Sequence, residues 1–527
     1  MWLNANSKEL QWFLDSATVY WEKNLPQPAG SAVILVEAFH QDIRVTLRNL
    51  AFANALRRLR PARLVVLTGV EQQWKSTLWS GFDLEKVRQV AAAFGASEVI
   101  DVWDQVRRVN TPGRDDDFLV ECTDATYCRL AKVPRLPAGH RGRPDYQLRH
   151  AYTTRLFDVY QELFATGPVE ALVTSHVDYD QWGMAVESAR RARVPIIHTQ
   201  QTGCLKAYGL FPVHDTGTGT FREELTRQIG DVFEGQVWAR REELRGPAEL
   251  VAWRAKVNLG RPSWWRGGVT ASVDLNNPAE RARLRSHVVG RLGFDTNRPI
   301  VTVFNHAVSD ALGTNRELFG SLADWFAETA AYAAEHPEAQ WLFLDHPSQA
   351  LYDSTGFFDS VAATHRNVKH LAFRPSATLS KNALWSLTDL GVTVRGSVSN
   401  ELPAYGIPVI QAGWSEWSSC GLSTVVDDRE AYFKTLEQSV TAIRDGAELV
   451  TEEQVRRARL WLWLYRSGTD VVTPLVPQWE VWPADVLLKT MRATFRHIEA
   501  DADPLFSAVE RMWTRQEPML TRTDFRA

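Results

Sequence analysis

Residues 389–413 read DLGVTVRGSVSNELPAYGIPVIQAG. A short apolar strand, Gly391 to Val394, runs into the small polar loop Arg395-Gly396-Ser397-Val398-Ser399, and a second apolar run, Ile407 to Ile410, follows one short helix later. Ser399 or Asn400 is expected to cap that helix, with Pro403 in its first turn, where an amide has no intrahelical partner, and Gly406 as its stop. The arrangement aims free N–H groups and the positive end of a helix past the strand, which suits a phosphate or diphosphate. Ser397, Ser399 and Arg395 add donors. Glu401 is placed to accept hydrogen bonds from ribose hydroxyls.

Working backwards, the same alternation recurs. The strand AQWLFL ends in Asp345-His346-Pro347-Ser348, and a residue before proline is pushed toward extended geometry, so the His346 ring can reach beyond the sheet. The strand RPIVTVF leads into Asn305-His306, with Ser309 close behind, where the first βα turn of such a unit meets a ligand. No G-x-G-x-x-G occurs there, which argues against a dinucleotide cofactor. Helices are expected over 317–336, 377–387 and 400–406.

The first half alternates as well: strands in SAVILVEAFH from Ser31, ARLVVLTGV, SEVIDVW, EALVTSHV and PIIHTQ, separated by helical stretches. Alternation of this kind indicates open parallel α/β sheets. We therefore expect an α/β protein of two Rossmann-like doubly wound domains facing a cleft, over 1–210 and 296–450. A charged helical connector at 211–295 joins them, and C-terminal helices at 451–527 pack back on the first domain. Ligands of open sheets bind outside the carboxyl ends of the strands, so two such edges make a bilobed site.

Composition excludes several classes. The 527 residues are 45% hydrophobic and 23% charged, ordinary for a globular chain. Lys plus Arg number 59 against 63 Asp plus Glu, a net charge of −4, so no nucleic-acid partner is expected. Four cysteines without C-x-x-C spacing indicate neither disulfides nor a zinc site, and with no signal peptide or long apolar run a cytoplasmic setting is expected.

The set Asn305-His306, His346-Pro347, Arg395-Gly396-Ser397 with Glu401, and Gly406-Ile407-Pro408-Val409-Ile410 resembles bacterial glycosyltransferases of the GT-B fold that build capsule and lipopolysaccharide chains. It is most similar to capsule-polysaccharide synthesis proteins, including the ulosonic acid (Kdo-type) transferases. The resemblance spans about 295–425 and is thin over 165–210. It implies that the His-Pro pair and the serine loop hold the leaving nucleotide's phosphate. Those transferases often carry Lys before the His-Pro pair, where this chain has Asp345.

On that resemblance the second domain binds a nucleotide-sugar donor through Asn305, His306, Ser309, His346, Pro347, Arg395, Gly396, Ser397, Ser399 and Glu401, without metal or other cofactor. The first domain presents a glycan or lipid-linked acceptor and, in an inverting enzyme, the base: Asp178 or His176, with Glu37 and His40 as further candidates. In a retaining enzyme one of these carboxylates would be the nucleophile. Asp178-Tyr179-Asp180 also spells D-x-D, a metal-binding pattern in another glycosyltransferase architecture. Among the 21 tryptophans, Trp182, Trp264 and Trp265 lie near cleft loops, and Trp414 and Trp417 are candidate sugar contacts. The patch Arg261 to Arg266 suits peripheral contact with the inner membrane. Rival readings are a CDP-glycerol-type polyol-phosphate transferase, a sugar-nucleotide epimerase and a non-catalytic scaffold.

Overall fold

Each half of the chain begins its sheet with a run of aliphatic, mostly β-branched residues that can be buried on both faces, VILVE in the first and IVTVF in the second. A computed structural model describes residues 8–200, 204–248, 275, 277–295, 297–310, 318–477, 484–499 and 502–526. The first sheet holds β1 (Val33–Glu37), β2 (Arg63–Thr68), β3 (Glu98–Asp101), β4 (Val169–Thr174), β5 (Ile196–Thr199) and β6 (Ala207–Leu210), in the order β3-β2-β1-β4-β5-β6. The second holds β7 (Ile300–Phe304), β8 (Gln340–Leu344), β9 (Leu371–Arg374), β10 (Leu390–Thr393), β11 (Val409–Gln411) and β12 (Thr424–Val425), in the order β12-β11-β10-β7-β8-β9. Numbered within each half, both orders are 3-2-1-4-5-6, the doubly wound arrangement. In such a sheet the crevice opens where the strand order reverses, between the first and fourth strands. Those strands are the parallel pairs β1/β4 and β7/β10. The chain is thus an α/β protein of the GT-B kind, two Rossmann-like domains with helices around each sheet.

Three elements differ from the sequence reading. β6 runs antiparallel to β5, and its Tyr208 pairs with Met519 from the far end of the chain. A helix at Lys8–Asn24 precedes β1. The helix expected from 317 begins at Leu322, because the Ser321 side chain accepts from Asp324 N and caps it there.

The tail helices complete the first domain. Leu487, Met491, Phe495 and Ile498 of Ala484–Glu499, and Leu505, Ala508, Val509 and Met512 of Pro504–Arg515, recur at three- and four-residue spacing. They share one apolar layer with Phe13 and Trp21 of the first helix and Leu47 and Leu50 of Ile43–Leu59. Each such side chain contributes about 1.5–3 kcal/mol on burial. Between the sheets, described connector residues form helices Phe221–Val232, Arg241–Pro247 and Pro278–Leu292, with a π-helical turn at Phe233–Trp238. The Arg261–Arg266 patch, with Trp264 and Trp265, lies outside the described residues. Among the described residues no helix is long and apolar enough to cross a membrane.

Candidate functional site

The carboxyl edge of the second sheet encloses a cavity of about 340 Å³, within the size range of small-molecule sites. Three strand ends build it. After β7, Asn305 N donates to Leu344 O of β8, so the chain leaves the sheet with Asn305 and His306 on the cavity wall. After β8, Asp345 Oδ1 accepts from Ser376 N at 2.5 Å, and His346 Nδ1 accepts from Ser348 N at 3.2 Å. A ring nitrogen that accepts carries no proton, so neutral His346 holds its proton on Nε2. After β10, Thr393 Oγ1 donates to Phe304 O and accepts from Gly396 N, each at 3.2 Å. A side chain at Gly396 would place its Cβ 2.8 Å from that hydroxyl, so the turn closes only around glycine.

Asn305, His306, His346, Pro347, Arg395, Gly396, Ser397 and Trp417 therefore line one cavity. Phe304, Leu344, Leu384 and Trp385 supply an apolar wall. Inside it, both polar atoms of the Asn305 amide, Ser376 Oγ and Trp385 Nε1 are buried without a partner. Each unmet group costs about 1–3 kcal/mol, which a polar ligand recovers. Burial, and then Arg395, push His306 down to about 3, so its ring is neutral near pH 7.

Other residues expected here turn away. Ser309 is fully buried and donates from Oγ to Tyr352 O at 2.6 Å. Ser399 Oγ donates to Gly396 O and accepts from Trp417 Nε1, at 2.8 and 2.9 Å. Glu401 is ion-paired with Lys381 at 2.6 Å and with Arg466 at 3.1 Å, so it fastens the π-helical turn Leu464–Gly468 that follows helix Glu452–Trp463 instead of meeting a ribose. Trp414 is not among the lining residues. The helix after the loop is only Val398–Glu401, capped at Ser397 without a side-chain bond, and Pro403 falls in the following 3-10 turn. One turn of helix carries little dipole, so anion affinity rests on His346, Arg395 and Ser397.

Several further lining residues are not among the candidates read from the sequence. Asp310, Tyr352, Ser376, Lys381, Glu416 and Tyr465 come from loops, helices and the tail. Only Lys381 had a local sign, its place directly after the helix-capping Ser380.

The four first-domain candidates stand at the β1/β4 crevice but not as bases facing the cavity. Glu37 is 3% exposed and accepts from Phe39 N, Ser175 N and Ser175 Oγ at 2.6, 2.9 and 2.6 Å. It ties β1 to β4. His40 Nδ1 accepts from Asp42 N at 2.9 Å, and its ring packs 4.4 Å from that of Trp79. Burial lowers it to about 4. His176 Nδ1 accepts from Val177 N and Asp178 N at 3.2 and 3.3 Å. Burial lowers its pKa too, so it presents Nε2–H, a donor. Asp178 accepts from Arg222 Nε at 2.9 Å on Oδ1 and from Nη2 on Oδ2, while Arg222 Nη1 reaches Glu416 at 2.9 Å.

Asp180 is fully buried, accepting from Arg149 Nε at 2.6 Å and Trp74 Nε1 at 3.1 Å. The two carboxylates of D-x-D thus serve separate arginines. Among the described residues no group of three His, Cys, Asp or Glu is arranged to hold a metal. Trp182 is likewise buried, in an aromatic cluster with Trp74 and His176.

No family model and no curated protein sequence matches this chain. Solved structures of similar outline include the UDP-GlcNAc 2-epimerase of Neisseria meningitidis bound to UDP-GlcNAc (10% identity, 83% of this chain and 100% of that one, TM-score 0.26). MurG of Acinetobacter baumannii is another (9% identity, 88% and 99%, TM-score 0.29). A third is KpsC of Thermosulfurimonas dismutans, a beta Kdo 2,7 transferase (12% identity, 58% and 80%, TM-score 0.29). Scores this low leave the chemistry of the site to its own geometry.

That geometry suits an anionic, partly aromatic ligand. One part offers imidazole, guanidinium and hydroxyl donors; another offers an apolar wall with unmet amide, hydroxyl and indole groups. Across the seam the first domain touches it: Tyr179 OH donates to Asp310 Oδ1 at 2.8 Å, and Arg129 donates to Leu351 O at 2.8 Å with its guanidinium 3.7 Å over the Tyr352 ring.

Proposed function

We propose that the protein is a glycosyltransferase that passes a sugar from a nucleotide-activated donor to a growing bacterial surface polysaccharide or glycolipid. The observation that carries this reading is the convergence of His306, His346, Arg395 and Ser397, from the ends of three strands, on one cavity that also has an apolar wall. A nucleotide needs that pairing: donors for the phosphate and a flat apolar surface with a few polar groups for the base. In the transfer step the departing phosphate gains charge, and preorganised donors lower the barrier electrostatically. The β1/β4 crevice, with the neutral rings of His40 and His176, presents the acceptor from the other side. The reading places the protein in the cytoplasm, working at the inner face of the membrane.

A thermal-shift panel of CMP, CDP, UDP, GDP and dTDP tests it. At one hundred times Kd the bound nucleotide adds about 2.7 kcal/mol of stability. A panel in which none raises Tm overturns the proposal. Product analysis with nucleotide sugars against CDP-glycerol then separates sugar transfer from polyol-phosphate transfer.

A further inference from the structure

We infer that Asp310 is the general base of the transfer, held in place by Tyr179 of the opposite domain. This inference rests on the reading just proposed. The groups expected to serve as base are committed elsewhere: Glu37 to Ser175 and Phe39, Asp178 to Arg222, and the accepting nitrogens of His40 and His176 to backbone amides. Of the carboxylates on the cavity wall, Asp345 holds Ser376 N and Glu416 holds Arg222. Asp310 lines the same wall at the seam between the domains. Its Oδ1 takes the Tyr179 phenol and its Oδ2 stands 3.9 Å from His306 Nδ1.

The backbone shows what holds this contact. Tyr179 has φ +62, a left-handed conformation that costs a bulky residue of order 1 kcal/mol or more. It persists because both neighbours are clamped, Asp178 by Arg222 and Asp180 by Arg149. The result sends the phenol across to the other domain.

The charged and titratable groups facing Asp310 are His306, Arg395, Arg129, Tyr179 and Tyr352, with His176 and Arg222 of the first domain and connector behind them. Burial pulls its pKa upward, but His306, Arg395, Arg129 and the Tyr179 phenol together hold it below the ordinary aspartate value. The carboxylate is therefore ionised near neutral pH. The acceptor oxygen bonds to the anomeric carbon while the bond from that carbon to the phosphate oxygen breaks. The bonding pair leaves with the phosphate toward His346 and Arg395, and the hydroxyl proton passes to Asp310 Oδ2.

Two variants decide the matter, assayed with whichever nucleotide sugars the wild type transfers or hydrolyses and with nucleotide binding by thermal shift. D310N keeps an acceptor for the phenol and removes the basicity. Its turnover should fall about 10²–10⁴-fold, with nucleotide affinity within about threefold. Y179F keeps the carboxylate and removes its hydrogen bond. Turnover should fall roughly tenfold, and the acidic limb of the kcat profile should move to higher pH, because a carboxylate that loses a donor is easier to protonate. If Y179F costs as much as D310N, or D310N retains more than about a tenth of turnover, Asp310 is a tie between domains and the inference fails while the nucleotide reading stands. A wild type that binds nucleotide yet processes no donor also overturns it. A wild type that binds no nucleotide removes the reading beneath it.

Discussion

The imidazoles of His306 and His346 lie nearly parallel, 24° apart in plane, with centroids separated by 5.8 Å. They come from neighbouring parallel strands, β7 and β8, so the spacing is set by the sheet. Burial and Arg395 keep His306 near 3. A bound diphosphate favours the protonated ring, so the complex has the higher pKa and binding takes up a proton. Affinity for a nucleoside diphosphate should therefore rise as pH falls from 7 toward 5, and H306N should flatten the trend. Calorimetric titration at four pH values checks this; a flat wild-type profile would refute it.

Removing single phosphate donors should weaken the nucleotide without unfolding the chain. A hydrogen bond to a charged group contributes about 1.5–3 kcal/mol, so H346A and S397A should each raise the nucleotide Kd by roughly 10- to 100-fold. Equilibrium binding with unchanged Tm of the free protein is the measurement. Wild-type Kd in both variants would contradict the cavity assignment.

D178A should act on stability. Its loss leaves Arg222, 14% exposed at the side chain, paired with Glu416 alone of its two carboxylates, and breaking a buried pair from one side costs about 3 kcal/mol. Urea denaturation should show that loss while nucleotide affinity stays within about threefold. Unchanged stability with a selective fall in turnover would restore Asp178 to the chemistry.

Acid should destabilise the fold through its buried histidines. Burial brings His40 to about 4 and His198 to about 3, against 6.5 in the unfolded chain. Between those values the unfolded state binds the extra proton, so stability is full above about pH 6.5 and falls as pH drops toward the folded values. The slope should be about 1 kcal/mol per pH unit for each ring. Thermal unfolding at pH 7, 6 and 5 should show it, with H198N reducing the slope.

Lys206 is fully buried, with its ammonium 2.6 Å from Thr469 Oγ1, 2.9 Å from Asp470 and 4.3 Å over the Tyr465 ring. Tyr465 lines the cavity at the carboxyl edge of the second sheet. K206M should cost about 3–5 kcal/mol in chemical denaturation and weaken nucleotide binding as Tyr465 shifts. A stable K206M protein with wild-type Kd would show the tie to be unimportant.

The sheets were legible because their strands are short aliphatic runs between helical stretches, and residues following such runs reach the carboxyl edge wherever the fold is doubly wound. That placed Asn305, His346 and Ser397 on one edge from sequence. Which way each side chain turns was not legible. Ser397 faces the cavity and Ser399, two residues on, faces Trp417, a difference set by a helical turn that starts earlier than its composition suggests. Glu37 looks like a cleft carboxylate until Ser175, 138 residues away, closes over it. The left-handed Tyr179 leaves no mark either, since its strain is maintained by two distant arginines. β6 escaped notice because its second partner is Met519, contributed by the tail.

That last pairing bears on biogenesis. Leu205 bridges Val471, Gly209 N donates to Pro518 O, and Leu520 N donates to Ala207 O. The edge strand and one apolar layer of the first domain are thus finished by residues made some three hundred positions later. While the ribosome is still translating, the early domain must wait with that surface uncovered, a window in which chaperones or slow elongation would matter and in which a premature stop would yield an aggregating fragment rather than a half-molecule.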